Sequence, residues 1–180
     1  VLYPRGATLT DQPVYLLGAS PVLAVRTRTT VPAGEPATVN HTVTAELRAR
    51  RSGETFWRTT RELASESVRV SDGEAVTTAR LNVSQFAAEE IDRVRGAIGQ
   101  VGTLDVRFVV TAQYSTATYD GQLNLTAPLS VGETAYSVDR PDPVERSHSQ
   151  TVARTVTEPA SPTPPAELRA ALAALAVLGA

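Results

Sequence analysis

The sequence predicts an all-β protein, an immunoglobulin-like antiparallel β-sandwich with one short crossover helix. Three observations carry this: sustained period-two alternation, turn residues between the alternating runs, and a single stretch of helical periodicity. The longest alternation is "ATVNHTVTAELRAR". Val39, His41, Val43, Ala45, Leu47 and Ala49 fall on one side, and Asn40, Thr42, Thr44, Glu46, Arg48 and Arg50 on the other. Successive side chains of a strand point to opposite faces, so such a run is a half-buried strand. "RSGET" follows as a turn with Gly53 at its tip, and "FWRTTREL" returns as the second arm of a hairpin.

The other elements follow in order. "PVYLL" and "VLAVRTRTTV" are opening strands divided by the turn "GASP". "AVTTARLNV" turns Ala75, Thr77, Ala79, Leu81 and Val83 inward. In "SQFAAEEIDRVRGAIG", Ala87, Ile91, Val94 and Ile98 recur at helical spacing. Ser84 is the expected N-cap there, and Gly96 or Gly99 the stop. "TLDVRFVVTAQY" turns Leu104, Val106, Phe108, Val110, Ala112 and Tyr114 inward. "GQLNLTAPLSV" does the same with Leu123, Leu125, Ala127 and Leu129, and "TAYSV" is a short last strand.

Past Val138 the composition turns polar and Pro-bearing, and the chain closes on "SPTPPAELRAALAALAVLGA". The reading is a sandwich domain over 1–157, a Pro-rich stalk over 158–165, and the start of a transmembrane helix over 166–180. Closely spaced prolines favour a semi-rigid extended spacer. Beyond Arg169 no charged residue returns, and the eleven remaining residues fall short of the roughly twenty that span a bilayer. The expectation is a membrane helix that continues past Ala180. No Met occurs anywhere, so Val1 is not read as a translation start.

Composition narrows the function. A chain of 180 residues with net charge −2 offers no basic face for nucleic acid. With no Cys there are no disulfides, thiolate metal ligands or Cys nucleophiles. All 17 basic residues are Arg, a bias that a GC-rich genome produces. His41 and His148 have no clustered carboxylates at metal-ligand spacing, so neither a metal nor another cofactor is expected. His41, on an apolar strand face, reads as a satisfied core or rim histidine. "LRARR" reads as a solvated basic run, and Trp57 as a core residue. No "GxSxG" elbow, paired catalytic carboxylates or Gly-rich phosphate loop occurs, so no catalytic residue is assigned.

One motif is repeated. The three Asn residues, Asn40, Asn82 and Asn124, stand in "NHT", "NVS" and "NLT", each an N-glycosylation acceptor. Each lies on the polar side of its strand, where a glycan could project. This favours a location outside the cytoplasm.

The run "LYPRGATLTDQPVYLLGASPVL", with "ETFWRTTREL", "LNVSQFAAEEIDRV", "LDVRFVVTAQYS" and "TAPLSVGETAYSV", resembles a haloarchaeal family of membrane-anchored proteins of unknown function, encoded near signal peptidase I genes. The resemblance spans about Leu2 to Thr157. It implies a domain held between two membrane helices on the outer side of the plasma membrane, the first lying ahead of Val1, with no assigned catalytic residues. The expected role is non-enzymatic: protein interaction, surface assembly, or assistance to export and processing of other surface or secreted proteins. A carbohydrate-binding module using Trp57, Tyr114, Tyr119 and Tyr136, or an accessory hydrolase, stands as the alternative.

Overall fold

The computed structural model describes residues 9–10, 12–31, 36–71 and 73–145. The expected stalk at 158–165 and the expected membrane helix at 166–180 lie outside the described residues, as does the end of the expected sandwich domain after 145. Among the described residues eight strands form: β1 (Tyr15–Leu16), β2 (Val22–Val31), β3 (Ala37–Arg51), β4 (Glu54–Val70), β5 (Gly73–Asn82), β6 (Thr103–Ser115), β7 (Asp120–Val131) and β8 (Ala135–Val138). Six make one sheet in the order β1-β8-β7-β6-β3-β4, and β2 pairs with β5 in a second. Every pairing is antiparallel.

Alternation decides which face of each strand is buried. All six apolar-side positions of β3 from Val39 to Ala49 are buried, as are Ala75, Thr77, Ala79 and Leu81 of β5. The two sheets share three core clusters. Val31 and Ala75 meet Ala37, Val39 and Val70 at one end. Ala79 meets Val43 and Val110 in the middle. Leu81 meets Leu47, Phe108, Leu129 and Tyr136 at the other end. Each fully buried side chain of Leu or Phe size contributes about 1.5–3 kcal/mol.

The helical segment connects β5 to β6 and closes that last end, burying Val83, Phe86, Ile91 and Val94. It is α-helical over Val83–Phe86, widens into a π-helical turn over Ala87–Ile91, and is α-helical again over Asp92–Ile98. The cap is Asn82 rather than Ser84: Asn82 Oδ1 accepts the Gln85 N–H at 3.1 Å. Ser84 instead donates to the Leu17 carbonyl at 3.2 Å. Gly99, at φ 57°, ends the segment in a conformation that disfavours side chains. No helix of the described residues is long and apolar enough to cross a membrane.

The β3–β4 hairpin turns through Ser52 and Gly53, both at positive φ, the geometry whose twist suits a two-residue hairpin. Strand β4 is longer than its eight-residue sequence signal and forms one edge of the large sheet. Two register shifts leave Phe56 and Leu63 as extra residues along it. Bulges and the charges at Arg58, Arg61, Glu62, Glu66 and Arg69 blunt an edge that would otherwise pair with other chains.

Trp57 departs from its expected core position. It faces Ala49 across the register yet is 37% exposed, because it sits near the start of this edge strand, where few neighbours cover it. Beside it Phe56 is 52% exposed.

Candidate functional site

The outward face of the large sheet carries most of the chemistry. Its composition divides at the row formed by Thr44, Val109 and Thr126, which the register aligns across β3, β6 and β7. On one side of that row the residues are mostly hydroxyls and amides, with Arg69 and Asp120 at the far end. Asn40 faces Gln113, which faces Gln122; Thr42 faces Thr111, which faces Asn124. Thr111 Oγ1 donates to Asn124 Oδ1 at 3.0 Å, and Gln122 Nε2 donates to the same oxygen at 3.0 Å. A cavity of about 470 Å³ opens beside Asn40, Gln113, Asp120 and Gln122. At this end Tyr114 lies over Gly121, where a Cβ would collide with the ring and its hydroxyl.

On the other side of the row the face is charged. Glu46 is only 5% exposed although it points outward. Arg107, directly opposite on β6, holds it: Nε and Nη2 both lie 2.7 Å from Glu46 Oε1. Arg48 Nε stands 3.4 Å from the same oxygen, and Arg58 Nη1 4.0 Å from Oε2. Asp105 takes Arg50 at 3.3 Å and Arg48 at 3.7 Å. Arg48 Nε is buried without a hydrogen-bond partner. Two of the arginines in "LRARR" are thus committed to ion pairs.

The sequon residues separate into two kinds. Asn40 and Asn124 share the neutral half, one strand apart and offset by two residues along β6, about 12 Å by strand spacing. Both are exposed, and the Thr of each triplet lies two residues on, on the same side. Asn82 is also exposed but caps the helix at the end of the small sheet, with the Ser84 hydroxyl occupied.

His41 behaves as a core residue. It is 1% exposed and bridges the sheets, with Nε2 2.8 Å from Thr29 Oγ1 of β2 and Nδ1 2.9 Å from Thr77 Oγ1 of β5. Burial holds its pKa below the ordinary histidine value, against an opposing pull from Glu66, its cross-strand neighbour. Sequence reasoning placed His41 but missed its two hydroxyl partners, and it missed the burial of Glu46. The alternating pattern marks a face, whereas these contacts depend on register between strands remote in sequence.

Among the described residues no three His, Cys, Asp or Glu gather as a metal site. The sequence profile of DUF5305, a family of unknown function, matches residues 57–180. No match was found among curated proteins.

Proposed function

The chain belongs to this family of unknown function, DUF5305, and on that premise we propose a non-enzymatic, membrane-anchored role at the cell surface. In this reading the strands form an immunoglobulin-like β-sandwich on the outer side of the plasma membrane of a haloarchaeal cell. A Pro-rich stalk and a C-terminal helix tether it. There it serves protein interaction, surface assembly, or the export and processing of other surface or secreted proteins.

One observation carries the proposal. Two of the three sequons put an exposed Asn, with the Thr two residues on along the same side, on the part of the outward sheet face where hydroxyls and amides predominate. Glycan transfer needs an exposed acceptor, and a glycan on either Asn would stand clear of the core. The apolar run after Arg169 supports the tether, because a bilayer is the environment that accepts a stretch without polar residues.

Treatment of intact native cells with a protease that cannot cross the membrane tests the location. Release of the domain, with a cytoplasmic control left whole, supports the proposal. Protection of the domain alongside that control overturns it. Mass spectrometry of peptides containing Asn40 and Asn124 from the same cells tests the glycans, which bare asparagines at both would refute.

A second reading, carbohydrate binding, is favoured by the exposed rings of Trp57 and Tyr119 and of Phe56, next to Trp57 in β4, whereas Tyr136 of the expected ring set is buried in the core. Its test is titration of neutral oligosaccharides against tryptophan fluorescence. Trp57 is the only Trp in the chain, so a quench or shift reports directly on that residue.

A further inference from the structure

The turn between β3 and β4 and the loop that leads into β6 lie side by side at one end of the large sheet. Register puts them there, since Arg51 pairs with Glu54 and Arg50 with Thr103. Residues 50–53 and 100–103 line a common cavity of about 480 Å³. Around it stand three exposed large apolar side chains, Phe56, Trp57 and Val101. Phe56 is the extra residue of a bulge, which frees its ring from strict alternation with Trp57. The ring reaches over to the loop. A Cβ on Gly102 would stand 2.8 Å from the Phe56 ring and would also collide with the Arg50 carbonyl, so only glycine lets the ring lie there. Val101, one residue earlier, is 54% exposed. At the opposite end of the sheet the β6–β7 turn shows one exposed ring, Tyr119.

The chemistry of this tip is apolar rather than charged. Arg50 is held by Asp105 at 3.3 Å, and Arg51 and Glu54 oppose each other across the turn. No net charge is left there to select an ionic partner. Three partly exposed side chains also fall well short of the roughly 800 Å² that each partner buries in a stable protein interface. A lipid bilayer sets no such minimum and needs no matching shape. Its interfacial layer accepts a small apolar group ringed by polar residues, and the amphipathic Trp ring collects in that layer.

We infer that this tip dips into the interfacial layer of a lipid bilayer, with Phe56, Trp57 and Val101 as the inserted side chains. The rest of the chain brings a bilayer within reach. About 24 residues separate Glu145, the last described, from Arg169, after which the sequence is apolar to Ala180. A chain of that length extends up to about 80 Å. A strand of 15 residues such as β3 spans about 50 Å, so the tether is longer than the sheet is tall. The tip can therefore meet the surface in which the apolar run is held. The inference adds a second membrane contact and rests on the membrane-anchored reading above.

Trp57, the only Trp, is the reporter. The full chain is mixed with vesicles of phosphatidylcholine, with and without bromine on the acyl chains. Lipid should shift Trp57 emission to shorter wavelength, and the bromines should quench it. The apolar run alone, entering the vesicle, would leave Trp57 in water. Phe56→Ser should lower the ratio of docked to undocked tip about fivefold, as read from the quenching, because about half of that ring is free to be buried. Val101→Glu should abolish the shift by placing a charge at the tip. Val101→Ser, in the same exposed loop, should weaken docking with an unchanged urea unfolding curve.

Trp57 emission unchanged at saturating lipid overturns the inference. If the chain still sediments with the vesicles, the tether stands without the tip contact. A docked tip in a chain whose domain is protected in intact cells would overturn the location and leave the tip contact standing. A shift that grows with protein concentration in the absence of lipid assigns the tip to a second copy. A shift with neutral oligosaccharide and none with vesicles assigns it to sugar. Either result refutes the bilayer contact.

Discussion

The two halves of the outward face use the same strands, β3 and β6, yet solve the problem of a polar surface differently. In the neutral half, amides and hydroxyls bond to one another from β6 to β7 and along β7. Water competes for each of those bonds, so their net contribution is small. In the charged half, Glu46 is buried beneath arginines and gives up most of its hydration for one close partner, Arg107. A charge in that position is stable only while its partner remains. The neutral half is thus built to tolerate change, and the charged half is fixed by its own electrostatics.

The sharpest way to break this contrast is Arg107→Met. It leaves Glu46 buried with only the longer contacts to Arg48 and Arg58, and should cost about 3 kcal/mol in urea unfolding. Adding Glu46→Leu to that variant should restore most of the loss, since an apolar pair of similar size removes the uncompensated charge. A double variant as unstable as the single one would mean that Glu46 is not the source.

Beneath the neutral half, His41 predicts a pH dependence. Its folded pKa lies below the unfolded value, so the unfolded chain binds the extra proton first. Stability is complete above about pH 6.5 and falls as pH drops from there toward the lowered folded pKa, by at most about 1.4 kcal/mol per pH unit. His41→Gln should flatten that part of the profile in denaturant titrations at stepped pH. An unchanged slope would show that other groups set it.

How far the sequence anticipated these regions differs between them. Alternation placed every inward residue of β3 correctly, including His41, because a period of two depends only on local backbone geometry. The same pattern marked Glu46 as outward, which is true of its direction and false of its exposure. Burial there comes from Arg48, Arg58 and Arg107, two of which arrive from neighbouring strands at positions set by register. Asn82 was similar: its triplet resembled those of Asn40 and Asn124, and only the helix that begins beside it makes it a cap.

Two smaller effects sharpen the distinction among the asparagines. Asn82→Ala should lower stability by about 1 kcal/mol through loss of the cap, as measured by thermal or urea unfolding. Asn40→Gln and Asn124→Gln should each stay within about 0.5 kcal/mol, being exposed strand positions. In protein from native cells, each of these two changes should also remove one glycan mass. A loss at Asn124 as large as that at Asn82 would mean the neutral half is more structural than its exposure implies.

By itself the sequence determined the buried face of β3, β5, β6 and β7, the helical segment between β5 and β6, and the acceptor triplets. All of these depend on neighbours a few residues apart in the chain. Tertiary structure alone decided that β4 is an edge, that Trp57 is uncovered, and that Glu46 is buried among arginines. Each of those depends on which strands lie side by side and in what register. Pairing energies between distant strands set that choice, and no local pattern encodes them.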